Sequence, residues 1–226
     1  TTLHNLGERS TADLEQDLLQ FSERRSLGLI LPSLYSEIDT PALPAIIQEL
    51  KSVPYLSQIV IGLDRATQDE YQHALSFFAD LPQHHRVLWN DGPRLKAIDA
   101  RLQEAGLAPQ ELGKGRNVWY CMGYALATGR AEAIALHDCD ILTYDRSLLA
   151  RLIYPVAHPL FGYEFCKGYY PRVSDNKING RVCRLLVTPM IRALKRIVGG
   201  PEKNGMTRTE EDDMKVVEED AAKYQG

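Results

Sequence analysis

The chain has 226 residues, 44% hydrophobic and 25% charged, enough to bury one sizeable core. No apolar run approaches the length of a bilayer span, and no basic-then-apolar leader opens the sequence. The net charge of −4 is uneven: residues 209–226 carry seven acids against two lysines, whereas 180–208 carry seven cations against Glu202. A local basic segment on a near-neutral body suits a small anionic ligand and speaks against a long nucleic acid.

Residues 10–24 have the pattern of an amphipathic helix, with Ser10 as cap, Asp13 in the capping-box position, and Leu14, Leu18 and Phe21 on one face. "LGLILP" (27–32) is a short continuous apolar run, the mark of a strand covered on both faces. A helix is expected over 40–53, capped by Thr40 with Pro41 in its first turn. "SQIVIGLD" (57–64) is a second buried strand and 67–81 a second amphipathic helix. "HRVLWND" (85–91) is a third strand, followed by a helix from Pro93 to Ala105. A helix over Arg116–Thr128 leads into the strand "EAIALHD" (132–138). "YEFCKGYY" (163–170) reads as a further strand, and 180–197 as strand-to-helix sequence.

Strands alternating with helices of ten to fifteen residues predict an α/β fold with a largely parallel sheet. Ligands of such sheets bind beyond the carboxyl ends of the strands. The polar residues delivered there are Ser33 to Glu37, Asp64 and Arg65, Asn90 and Asp91, and His137 to Asp140. Asp138 and Asp140 form a D-x-D directly after an apolar strand, with no basic neighbour before Arg146. Two such carboxylates can hold Mg²⁺ or Mn²⁺, which takes oxygen ligands and shares them with substrate phosphates. The bland alternative is that they cap the next helix, expected near Tyr144–Asp145. Lys114 stands between two glycines at the start of a helix, where a cation, a mobile backbone and a helix N-terminus together suit a phosphate. The spacing is not that of a P-loop. His137 could be a ligand, a base or a core histidine. Cys121, Cys139, Cys166 and Cys183 show no C-x-x-C spacing and read as reduced thiols of a cytoplasmic protein.

"LPSLYSE", "IGLD", "GKGRNVWY", "HDCD" and "GYYPRV…NGRVCRLLVTP" together resemble glucosyl-3-phosphoglycerate synthases and their bacterial relatives, across about residues 25–197. The resemblance implies a GT-A, Rossmann-like, mostly parallel sheet flanked by helices. It implies retaining transfer of a hexose, glucose by expectation, from UDP-glucose or GDP-glucose to 3-phosphoglycerate or a similar acceptor. Carried over by position, Pro32, Leu34, Glu37 and Asp64 line the nucleotide pocket and Lys114 approaches the diphosphate. Asp138 and Asp140 hold Mg²⁺ or Mn²⁺, with Asp140 the more direct ligand; Lys114 and Asp140 are the catalytic assignments. Gly180, Arg181 and Cys183 contact the acceptor, with Cys183 where the family commonly has Thr. The family's third metal ligand is typically a His, and none follows His158. A homodimer is also implied.

By this division residues 1–24 form an N-terminal helix, 25–197 the nucleotide-sugar-binding domain, and 198–226 an atypical acidic tail or truncated C-terminal region. Two other functions compete. A nucleotidyltransferase would need a Gly-rich basic loop after the first strand, which "PSLYSE" does not supply. A nucleotide-sugar-binding domain without turnover would need only the donor half of the site.

Overall fold

In a computed structural model the described residues are 6–168, 173–174, 177–178 and 190. Gly180, Arg181 and Cys183 lie outside them, as does the helix expected after 180 apart from helical Met190. The chain divides into two compact units, residues 1–168 and 169–226; within the second, the described strands β5 (Val173–Ser174) and β6 (Lys177–Ile178) pair antiparallel.

The first unit is built on four parallel strands: β1 (Leu27–Leu34), β2 (Leu56–Asp64), β3 (His85–Trp89) and β4 (Ala133–Leu136), in the order β3-β2-β1-β4. β1 and β2 are buried almost throughout, which explains their unbroken apolar runs. On one face α1 (Thr11–Ser22), α2 (Ala42–Leu50), α3 (Gln68–Phe78) and α6 (Arg146–Ala157) pack into the larger core around Leu29, Leu31, Ile59 and Ile61. On the other, α5 (Lys114–Thr128) closes a small cluster of Ile30, Val60, Cys121 and Ala125. α4 (Pro93–Glu104) has no buried residue and is held by polar contacts, Asp99 accepting from Tyr120 and pairing with Arg116 at 3.9 Å.

Local chemistry accounts for most boundaries. Ser10 Oγ accepts from Asp13 N at 3.1 Å to start α1. Thr67 and Glu70 form a reciprocal capping box on α3, with bonds of 3.3 and 2.7 Å. Thr67→Ala is expected to lower unfolding free energy by about 1 kcal/mol in urea titration, the usual worth of such a cap. α5 ends at Gly129 with φ 60°, a left-handed stop that glycine adopts readily.

Three expectations need correction. Thr40 does not cap α2: its hydroxyl donates to Glu37 O at 2.7 Å and closes a 3-10 helix, η1 (Tyr35–Asp39), while Pro41 precedes α2. The sequence pattern gave no hint of that short helix. Residues 163–168 form no strand, because β propensity without a neighbouring strand leaves the ladder unmade. β1 runs two residues past Pro32. β4 has already stopped level with Ile30, and Ile30 makes the last bond towards it, accepting from His137 N at 3.1 Å. Among the described residues Pro32 therefore has no ladder bond to lose on that side, and the carboxyl half of β1 is left with one open edge.

Candidate functional site

The open edge of β1 faces the segment that carries the D-x-D, so topology alone brings Pro32, Leu34 and Asp138 to one end of the sheet. Pro32 pairs with Gly62, and Leu34 with Asp64, placing Asp64 beside Leu34 at the ends of the two central strands. Glu37 lies on η1 immediately beyond. Its Oε2 accepts from Leu34 N and from Ser33 Oγ, each at 3.0 Å, so this carboxylate shapes the loop that leaves β1.

The D-x-D is displayed by its middle residue. Cys139 is buried in the larger core, its thiol pKa raised by desolvation, so its neighbours turn outward. Asp138 is half-buried and Asp140 exposed. Neither caps the next helix: Asp145 does that, accepting from Ser147 N at 2.7 Å. The capping alternative is thereby removed for both aspartates. Asp140 has no hydrogen-bond or ion-pair partner among the described residues.

Lys114, the first residue of α5, reaches Asp138 and donates to Oδ1. The pair spans 24 positions and joins two of the predicted site segments. Both side chains are about half exposed, so the pair contributes little to stability. Its importance is placement. Gly113 precedes Lys114 with φ 132°, a conformation that disfavours a side chain, and no side chain caps the first turn of α5. The uncapped amides and the ammonium therefore share one location.

His137 anchors the loop from beneath. It is buried, with Nδ1 3.2 Å from the Tyr144 hydroxyl, and burial depresses its pKa to about 4 against the opposing pull of Asp138. It is neutral at pH 7. Nε2 has no partner among the described residues, so within them His137 is a core residue satisfied on one nitrogen only. Asn90, one of the strand-end polar residues, is 3% exposed at the end of β3, with both amide atoms unpartnered among the described residues.

A second clamp holds the end of β2. Asp91 Oδ2 accepts from Ala66 N at 3.1 Å, and Trp89 Nε1 donates to Ala66 O at 2.8 Å. Trp89 is itself stacked on Tyr71, with ring centroids 4.9 Å apart and an interplanar angle of 11°. Trp119, by contrast, is 43% exposed on α5.

No group of three or more His, Cys, Asp or Glu among the described residues could by itself hold a metal. The donor set nevertheless suits Mg²⁺ or Mn²⁺. One free carboxylate and one already facing a cation match ions that take one or two protein carboxylates and complete their shell with phosphate and water. A zinc site would require more protein ligands.

No protein-family model matches the chain. A glucosyl-3-phosphoglycerate synthase of Persephonella marina is 51% identical over 199 residues, covering 88% of this chain and 49% of the relative. One from Methanococcoides burtonii is 41% identical over 174 residues, covering 76% of this chain and 43% of the relative. The chain thus spans about half the length of the curated relatives it matches. Among solved structures, glucosyl-3-phosphoglycerate synthase from Mycobacterium tuberculosis, crystallised with Mn²⁺ and UDP-glucose, superposes with a TM-score of 0.54 at 19% identity, covering 88% of this chain and 58% of the other. Over most of its length this chain is a glucosyl-3-phosphoglycerate synthase-like sequence on a GT-A glycosyltransferase fold.

Proposed function

We propose that this chain carries the donor site of a metal-dependent glucosyltransferase that moves glucose from UDP-glucose to 3-phosphoglycerate, with retention at the anomeric carbon. The carrying observation is the strand-end arrangement in which Lys114 meets Asp138 while Asp140 stays unpaired and Asp145 takes over capping. The names of the two relatives, and the Mn²⁺ and UDP-glucose of the M. tuberculosis crystal structure, support the substrate choice.

In this reading Pro32, Leu34 and Asp64 border the nucleoside, and Glu37 fixes the loop against which it rests. Asp140, with Asp138, would hold Mg²⁺ or Mn²⁺, whose chemistry is neutralisation of charge on the departing diphosphate. Lys114 acts on the same charge: its ammonium, already aimed at this end of the sheet, donates to a diphosphate oxygen as the bond to the sugar breaks. The uncapped first turn of α5 adds backbone donors to the same oxygens. No side chain is assigned as nucleophile; the acceptor hydroxyl attacks directly, on the face from which the diphosphate leaves, and passes its proton to an oxygen of the departing diphosphate. Gly180, Arg181 and Cys183 are the proposed acceptor contacts, since a guanidinium fork suits both phosphate and carboxylate. The domain is proposed to run from 25 to 197, with the protein acting in the cytoplasm. No helix among the described residues is long and apolar enough to cross a membrane.

A binding domain without turnover is the second reading, since the site residues that the structure describes are those proposed for the donor half. The nucleotidyltransferase reading loses support, because η1, rather than a Gly-rich basic loop, follows β1. Calorimetric titration of the chain with UDP-glucose in Mn²⁺ and then in EDTA tests the donor site. Binding that disappears with EDTA is the expected result, and metal-independent or absent binding by folded protein overturns it. Formation of a glucosylated 3-phosphoglycerate from UDP-glucose, followed by mass spectrometry, then separates transferase from binding domain.

A further inference from the structure

Arg65 is the described non-glycine residue with positive φ, at 57°. L-residues other than Asn and Asp rarely adopt this backbone, and where they do the surrounding structure must hold them there. Here that restraint is visible: the next residue, Ala66, is gripped through its N–H by Asp91 and through its carbonyl by Trp89. The strained turn is therefore built by the ends of two strands and a stacked Tyr71–Trp89 pair. It directs a guanidinium to the carboxyl end of β2. Arg65 is exposed there and makes no hydrogen bond or ion pair with any described residue. A glycine would meet the backbone requirement without strain, so the side chain itself calls for an account.

The position within the sheet narrows its use. Asp64 is level with Leu34 on β1, whereas the D-x-D follows β4 on the far side of β1. Two strand spacings, about 10 Å, separate β2 from β4. A ligand whose diphosphate lies at Asp138, Asp140 and Lys114 presents its nucleoside, not its phosphates, at β2. We propose that Arg65 is a nucleotide-binding residue for the nucleoside half of the donor, its planar fork donating to carbonyl and hydroxyl oxygens of the base and ribose or stacking on the base. This inference rests on the donor-site reading above. The backbone strain is retained because the turn aims this side chain.

Titrating the 226-residue chain with UDP and with UMP in Mn²⁺, for the parent, Arg65→Gly, Arg65→Lys and Asp140→Ala, tests it, alongside melting temperatures. Loss of one charge-assisted contact predicts that Arg65→Gly binds both nucleotides about tenfold more weakly. Its melting temperature should be no lower than the parent's, since the strain is relieved; a purely structural Arg65 would not lose affinity while keeping stability. Arg65→Lys should fall between the two in affinity. Parental affinity of Arg65→Gly, or a loss confined to UDP, overturns the inference. If Asp140→Ala abolishes UDP binding but Arg65→Gly leaves it intact, this inference alone falls. A folded parent that binds no UDP removes the donor-site reading and Arg65's role together.

Discussion

Asp140→Ala is expected to weaken Mn²⁺-dependent UDP binding about a hundredfold or more, with the unfolding free energy within about 0.5 kcal/mol of the parent. Both halves of that result come from the same geometry. Asp140 is exposed and unpartnered, so truncation costs no buried contact and leaves no orphaned donor. Asp138 differs, because its removal frees Lys114 as well, and binding losses there mix two causes. Asp140 is the cleaner probe for that reason. Asp140→Asn should behave like the alanine variant if ionic ligation is required, since an amide keeps the shape and loses the charge. Calorimetry in Mn²⁺ and in EDTA reads the affinity, and urea titration the stability. An alanine variant with parental metal-dependent affinity would remove Asp140 from the site.

The second large effect concerns the fold beneath the site. Gly62→Ala should destabilise the protein by about 3 kcal/mol or more, enough to leave little soluble folded protein. A Cβ at Gly62 would lie 1.7 Å from Asn117 Oδ1 and 2.6 Å from Cys121 Sγ. Asn117 cannot simply swing aside, because its Nδ2 donates to Gly62 O at 2.9 Å within a buried contact. Relief requires α5 to lift from the sheet, opening the small core of Ile30, Val60, Cys121 and Ala125. The same shift would carry Lys114 away from Asp138. Whatever Gly62→Ala protein can be purified should therefore melt lower and bind UDP more weakly. A variant with parental melting temperature would show that α5 approaches the sheet less closely than Gly62 and Asn117 indicate.

The strands and the capped helices were legible because their signals are local. Apolar runs marked β1 and β2, and Ser10 with Asp13 marked the start of α1. The rule that ligands gather at the carboxyl ends of parallel strands then pointed to the segments where β2 and β4 end, which carry Asp64, Asp138 and Asp140. What the sequence withheld depends on contacts distant along the chain. Nothing near Ala66 reveals that Asp91 and Trp89, some 25 positions on, hold it from both sides. Nothing in "GKG" says that its lysine reaches a carboxylate 24 positions away. The Gly62–Asn117 latch spans 55 positions and appears only once α5 is laid on β2. Thr40 was misread for a local reason: two helical segments abut there, and a threonine between them can serve either one.

Asp138, Asp140 and Asp145 stand within eight residues yet answer to different demands, one to a lysine, one to solvent and one to a helix end. Selection can consequently act on them separately. A lineage that no longer needs the chemistry can let Asp140 drift without any penalty in foldedness, while Asp145 stays fixed by the helix it starts. Among descendants of such a protein, a well-folded domain is no testimony to a working enzyme, and the identity of one exposed carboxylate is the more telling inheritance.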